Sequence, residues 1–314
     1  MKRLYLIIGL LVTAASIFFF LRAVSMHWQS IRAVQLGTDN ILVFTAASAL
    51  YILTYISASR SWLLALRCFG VRIELTLALK ILALSQFAKY LPGNIGHHVG
   101  RVLLSKRAGI SGESTLLSIV VDSMMVIAAA LFCSIPGLSL FTALLKDSDV
   151  DAVRTSISIL ATIVALVAFA LLMPPFRNYL RTVVARHRDL VSMKNARTLA
   201  GNLLMHLTNF GLGGAALFAI SASLTPAELA FYPAFFQIVS IYSAAWLLGF
   251  LLPGAPAGLG VRELCLLLGL SPLIGEQNAL LAAAILRLVT TLSDGLVFLI
   301  GIALRSRHPT ETAI

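Results

Sequence analysis

Charge is what this sequence has least of. Asp, Glu, Lys and Arg together make up 12% of 314 residues, against 59% hydrophobic. A soluble domain of this size with so little charge would not stay dispersed, so the chain reads as a polytopic membrane protein. Acidic residues are the scarcer sign, 13 against 24 basic, and the net charge is +11. The basic residues gather at the edges of apolar runs rather than along an aromatic-laced face, so no nucleic-acid partner is expected. Cysteine is nearly absent: Cys68, Cys133 and Cys265 are scattered and read as small buried hydrophobes, not as a disulfide framework. Missing too are G-x-x-x-x-G-K-[ST] for nucleotide phosphates, H-E-x-x-H for zinc and a paired C-x-x-C. No metal, no cofactor and no enzymatic constellation are therefore expected.

What fills the chain is apolar helix. Residues 4–21, 41–58, 114–135, 156–173, 199–221 and 278–304 are runs near the roughly 20 residues that cross a bilayer. Lys2-Arg3 ahead of the first run and Ala23-Val24-Ser25 behind it imitate a secretion signal. With further spans following, that run is expected to be an uncleaved first helix. These spans leave no room within the sequence for a soluble catalytic domain.

Two broken segments, residues 75–108 and 229–270, lie between the runs. The first reads Leu91-Pro92-Gly93-Asn94-Ile95-Gly96 and the second Leu252-Pro253-Gly254-Ala255-Pro256-Ala257-Gly258-Leu259-Gly260. In each, an Arg follows the first Pro by nine positions, Arg101 and Arg262. Pro92, Gly93, Gly96, Pro253, Gly254, Gly258 and Gly260 are the break-forming residues. Broken backbone at membrane depth is tolerated only where protein buries it or where it lines a polar cavity. A duplicated break of this kind points to a transporter's binding site.

Orientation follows from Lys and Arg. Arg177, Arg181, Arg186, Arg188, Lys194 and Arg197 crowd one loop, which should be cytoplasmic. With both breaks re-entrant, sixteen basic residues, Arg101 among them, fall on that side against four on the other. The expected architecture is an all-α polytopic membrane protein with about six full transmembrane helices and two re-entrant Pro-Gly-broken hairpins. It forms one domain, 1–314, with inverted half-repeats at about 1–135 and 156–304 and both termini in the cytoplasm. Residues 231–252, about 33 Å as a helix, are also long enough to cross completely, and sequence leaves that choice open.

Ionisable residues at membrane depth cost at least about 2.5 kcal/mol each, so they face a partner or a wet cavity. Arg101 and Arg262, near the starts of returning helices, form anion cradles with the free backbone N–H groups there. A snorkelling interfacial role is the bland alternative for Arg101. Glu263 follows Arg262 directly. Arg287 and Asp294 stand two turns apart on one face of the last run, and Asp122 lies mid-span. Arg287 with Asp122, or Arg262 with Asp294, are pairings open to them. Lys89, one turn before the first break, is placed to meet a lipid phosphate, and Asn94 either contacts a headgroup or caps the returning helix. The candidate substrate-binding set is therefore Arg262, Arg287, Arg101, Lys89, Asn94 and Glu263, with Asp122 and Asp294 for proton coupling or ion pairing. His97 and His98, being adjacent, point different ways on a helix and do not form a chelating pair. His206 and Asn209 share a face and are expected to bond between helices, and Gly211–Gly214 to mark close helix packing.

The stretches Lys89-Tyr90-Leu91-Pro92-Gly93-Asn94-Ile95-Gly96 and Pro256-Ala257-Gly258-Leu259-Gly260-Val261-Arg262-Glu263 resemble the lysylphosphatidylglycerol synthase transmembrane-region family. Arg287-Leu288 with Gly295 and Gly301 fits as well. The resemblance covers essentially the whole chain and implies that Pro92, Gly93, Asn94, Gly96, Gly258, Gly260, Arg262 and Glu263 are family-motif positions. It implies a flippase-like domain, since in its best-understood members this region moves aminoacylated phosphatidylglycerol and is fused to a soluble aminoacyl-transferase. Other members stand alone and are associated with polyprenyl-linked or surface-glycan pathways. There are two departures. Ser118-Ile119 stand where the family often has Glu-Arg before the span's Asp, and Ala257-Gly258 where it usually has Gly-Gly.

The function expected is transport of an anionic-headgroup lipid across the inner membrane. The lipid classes are a phospholipid, an aminoacyl-phospholipid or a polyprenyl-phosphate conjugate. Two other classes stay open: a membrane-embedded lipid-modifying transferase or hydrolase using His97, Asp122 and Glu263, and a non-transporting scaffold for envelope lipid or glycan synthesis. Membrane lipids and a separate lipid- or glycan-synthesising enzyme are the expected partners. The oligomeric state is not written in the sequence.

Overall fold

A computed structural model describes residue 25 and residues 38–90, 96–137, 193–225, 231–251 and 256–304. The described residues hold helices and no strands. They form α1 (Thr38–Arg67), α2 (Leu75–Gln86), α3 (Gly96–Arg107), α4 (Gly112–Ser134), α5 (Met193–Leu224), α6 (Phe231–Leu251), α7 (Val261–Ile274) and α8 (Glu276–Ala303). Short 3₁₀ turns occupy Phe87–Tyr90, Ile135–Gly137 and Pro256–Gly258. Among the described residues, Ile41–Arg67, Gly112–Ser134, Asn195–Leu224, Pro233–Leu251 and Glu276–Ala303 are long and apolar enough to cross a membrane. This is a multi-pass, all-helical membrane protein. The expected spans 4–21 and 156–173 lie outside the described residues, as do residues 177–192 of the basic loop. Pro92, Gly93, Asn94, Pro253 and Gly254 lie outside them as well.

The reason for helix is the solvent. Lipid offers the backbone no partners, so an apolar run without Pro or Gly, such as the 30 residues of α1, satisfies its own N–H and C=O groups. α1 ends where Gly70 takes a positive φ and the Val71 N–H bonds back to the Leu66 carbonyl. α5 lies along α1 and α6. Its glycines permit this contact as expected: a Cβ on Gly214 would stand 2.6 Å from Val239, and one on Gly213 2.4 Å from the Tyr242 ring. Leu217, Ile220, Ile238, Ile241, Leu270 and Leu280 then close the largest core among α5 to α8.

The two breaks differ in build. α2 and α3 have 12 residues each, about 18 Å of helix against roughly 30 Å of hydrocarbon. They fold back on each other, and a Cβ on Gly96 would stand 2.4 Å from the Ala88 carbonyl oxygen, so only glycine lets the hairpin close. The second break is entered by α6, 21 residues and of crossing length, and left by α7 with 14. The turns themselves meet, Phe87–Tyr90 packing against Pro256–Gly258.

Candidate functional site

Where the turns meet, a cavity of about 180 Å³ opens, lined by Lys89, His97, Arg101, Asp122, His206 and Arg262 on its polar side. Tyr51, Tyr242, Trp246 and Phe250 are among its aromatic walls. Three carboxylates organise the charges around it.

Asp122, on α4, is almost fully buried. Its Oδ1 accepts from Ser61 Oγ at 2.6 Å and Asn202 Nδ2 at 3.3 Å and lies 2.9 Å from His206 Nε2. Its Oδ2 faces Arg101 Nη1 at 3.5 Å. His206 thus makes the interhelical bond expected of it. The same Nε2 is also 2.7 Å from Ser61 Oγ. One nitrogen serves both neighbours, so the imidazole does not bridge hydroxyl and carboxylate as a nucleophilic relay requires. Arg101 is 5% exposed and 5.2 Å from the Trp62 ring, which corrects the interfacial alternative: it is an interior residue. Trp62 is held in turn by Ser118, whose Oγ accepts from Nε1 at 3.0 Å.

Asp294, on α8, takes Lys89 Nζ at 2.7 Å and Tyr90 Oη at 2.5 Å on Oδ2. Tyr51 at 3.2 Å and Tyr55 donate to Oδ1. Glu263 caps its own helix by accepting the Gly260 N–H at 2.7 Å, and it meets Arg287 Nε at 3.4 Å. Arg287 Nη1 donates to the Ala257 carbonyl at 3.3 Å, tying α8 to the second turn. Neither pairing open at the sequence level forms. Arg287 meets Glu263 rather than Asp122, and Asp294 meets Lys89 rather than Arg262. The second turn is tight: Ala257, Gly258 and Gly260 all have positive φ. Ala257 sits at φ +51 in the region glycine prefers, at about 1–2 kcal/mol.

Arg262 is the exception among these cations. Lys89, Arg101 and Arg287 each meet a carboxylate, whereas Arg262 has none among the described residues and rests 5.7 Å from the Trp246 ring. Its stem lies in a slot between Gly249 and Gly258. A Cβ on Gly249 would stand 2.6 Å from Arg262 Cγ, and one on Gly258 2.9 Å from Cδ.

His97 and His98 do not diverge as expected. Their rings are 3.9 Å apart in the first turn of α3, where side-chain torsions bring adjacent residues together, and both line the cavity. Two imidazoles stacked this closely, one turn from the Arg101 guanidinium and without a carboxylate bonded to either, are neutral: a proton on one would face cations without an anion to offset them. Asn209 also lines the cavity, and its Oδ1 has no partner among the described residues, as is true of His97 Nδ1, His98 Nδ1 and Gln86 Oε1.

Sequence reasoning missed Tyr51, Tyr55 and Tyr90 on Asp294, and Ser61 and Asn202 on Asp122. A signal existed: Tyr51 and Tyr55 stand four apart on one helix face, and Asn202, His206 and Asn209 form an i, i+4, i+7 polar stripe. No group of three His, Cys, Asp or Glu able to hold a metal occurs among the described residues.

The profile of the Lysylphosphatidylglycerol synthase TM region matches residues 6–299, which include both breaks and all three carboxylate clusters. The chain belongs to this family. No curated protein matches it closely enough to add a relative. Membership of the Lysylphosphatidylglycerol synthase TM region family makes this a membrane domain consistent with a lipid-related role.

Proposed function

We propose that the protein is a flippase that moves an anionic-headgroup lipid between the leaflets of the inner membrane. The observation that carries this reading is Arg262, a cation without a carboxylate partner among the described residues, placed in the cavity where the two breaks meet. A guanidinium at a helix start, backed by an aromatic face, grips a phosphate oxygen pair and keeps a charge that would otherwise be costly at this depth. Two oppositely oriented halves would rock about that site, the lipid's tails staying in the bilayer. Both termini are assigned to the cytoplasm on the distribution of Lys and Arg. The protein acts without chemistry of its own, and a separate enzyme makes the lipid it carries.

The test is leaflet exchange in proteoliposomes with acyl-chain-labelled lipids and external quenching. Wild-type protein should deliver labelled anionic phospholipid to the quencher several times faster than protein carrying Arg262→Gln. Equal rates for the two, or rates no greater than empty liposomes, would sink the proposal.

A further inference from the structure

We infer that the cavity selects a lipid whose headgroup carries a single negative charge and hydroxyl groups. It would discriminate against dianionic phosphomonoesters and against cationic aminoacylated headgroups. The inference rests on the lipid-binding reading above and names the substrate class of that site.

The first support is charge. Lys89, Arg101 and Arg287 are matched by Asp294, Asp122 and Glu263, and Arg262 is left over, a surplus of +1. Neither the stacked imidazoles nor His206 adds to it: the Nε2 of His206 serves Asp122 and Ser61, and its buried Nδ1 has no acceptor among the described residues for a second proton. Residues 4–21, 91–95, 156–173 and 252–255 contain no Asp, Glu, Lys, Arg or His. One negative charge therefore neutralises the cavity. A second would have to draw Lys89 or Arg101 off its partner and leave a buried carboxylate without its cation.

The second support is hydrogen bonding. Gln86 Oε1 and Asn209 Oδ1 are buried acceptors with no partner among the described residues, and both line the cavity. His97, 7% exposed, and His98 line it as well, each with an unpartnered Nδ1 that accepts when the proton sits on Nε2. Acceptors in this state call for donors from the ligand. Hydroxyls supply them without charge. An ammonium would supply them as well, but it would add positive charge beside Arg262, and the carboxylates that would receive it are already engaged. Asp122 and Asp294 each have four neighbouring groups. The volume of about 180 Å³, room for about six water molecules at roughly 30 Å³ each, suits a glycerol- or inositol-sized head.

The experiment uses the full-length protein and five acyl-labelled probes: phosphatidylglycerol, phosphatidylinositol, phosphatidic acid, lysyl-phosphatidylglycerol and phosphatidylcholine. Retention of each in detergent is measured by native mass spectrometry, and leaflet exchange in phosphatidylcholine vesicles. Phosphatidylglycerol and phosphatidylinositol should be retained about tenfold or more over the other three, the scale of one charge-assisted hydrogen bond. Arg262→Gln should erase that preference and Arg262→Lys should keep most of it, with thermal unfolding reporting that both variants fold. Phosphatidic acid or lysyl-phosphatidylglycerol retained as well as phosphatidylglycerol would overturn the inference. Selective retention without leaflet exchange would uphold it while removing the flippase reading. Exchange with no headgroup preference in either measurement would do the reverse.

Discussion

Lys89 and Asp294 are bonded at 2.7 Å, and through them the first break is fastened to the last helix. The carboxylate is buried and also receives three tyrosines. Removing either charge alone leaves the other stranded in a low-dielectric interior. Asp294→Asn or Lys89→Met should each destabilise the protein by about 3–5 kcal/mol, and the double variant should recover much of that loss. Thermal unfolding of the four proteins in one detergent reads the cycle, and additive losses would show that the pair is not coupled.

Asp122→Asn should leave Arg101 unneutralised and raise the cavity's surplus charge by one. Asparagine retains an oxygen for Ser61 and Asn202, so the fold should persist, at a stability loss of about 3–5 kcal/mol for the stranded Arg101. The expected outcome is gain rather than loss: phosphatidic acid should bind about tenfold more tightly than it does to wild type. Unchanged retention of phosphatidic acid would mean that Arg101 does not face the ligand.

Gly258→Ala tests the slot that holds Arg262. Its φ of +70 disfavours any side chain, and the new Cβ would stand 2.9 Å from Arg262 Cδ and 3.0 Å from Gly249 Cα. A stability loss of about 1–3 kcal/mol is expected, together with loss of anion preference. Gly295→Ala is the control. No neighbour lies within 4 Å of its added methyl, and helix propensity alone should favour it by about 1 kcal/mol.

The native cysteines report orientation. Cys68 follows α1 directly and Cys133 ends α4, and both are half-buried. If the basic residues near Cys68 mark the cytoplasmic side, an impermeant maleimide added to spheroplasts should label Cys133 and spare Cys68 in single-cysteine variants. The opposite pattern would invert the topology.

The breaks were legible because Pro, Gly and small residues inside apolar runs free backbone groups that lipid cannot satisfy, so they occur where protein or a wet cavity does. Arg262 was legible for the same reason, being charged and beside such a break. The ion pairs were not. Asp122 finds Ser61, Arg101, Asn202 and His206 on three different helices, and which helix faces which is set by close packing, at Gly213 against Tyr242 for example, rather than by spacing along the chain. The tyrosines on Asp294 were not legible because an aromatic residue in an apolar helix looks like core until a carboxylate is placed beside its hydroxyl.

The first hairpin has a mechanical character that follows from its charges. It brings two cations inward, Lys89 and Arg101, and each is captured by a carboxylate on a helix of crossing length, α8 and α4. It is thus latched at two points and cannot swing alone as a flap without stranding both anions. Rocking of the two halves would keep Arg101 with Asp122 and would have to part Lys89 from Asp294. On the α6–α7 side Arg287 of α8 holds Glu263 and the Ala257 carbonyl in the same way, and Arg262 alone of the four cations has no latch among the described residues until a ligand supplies one.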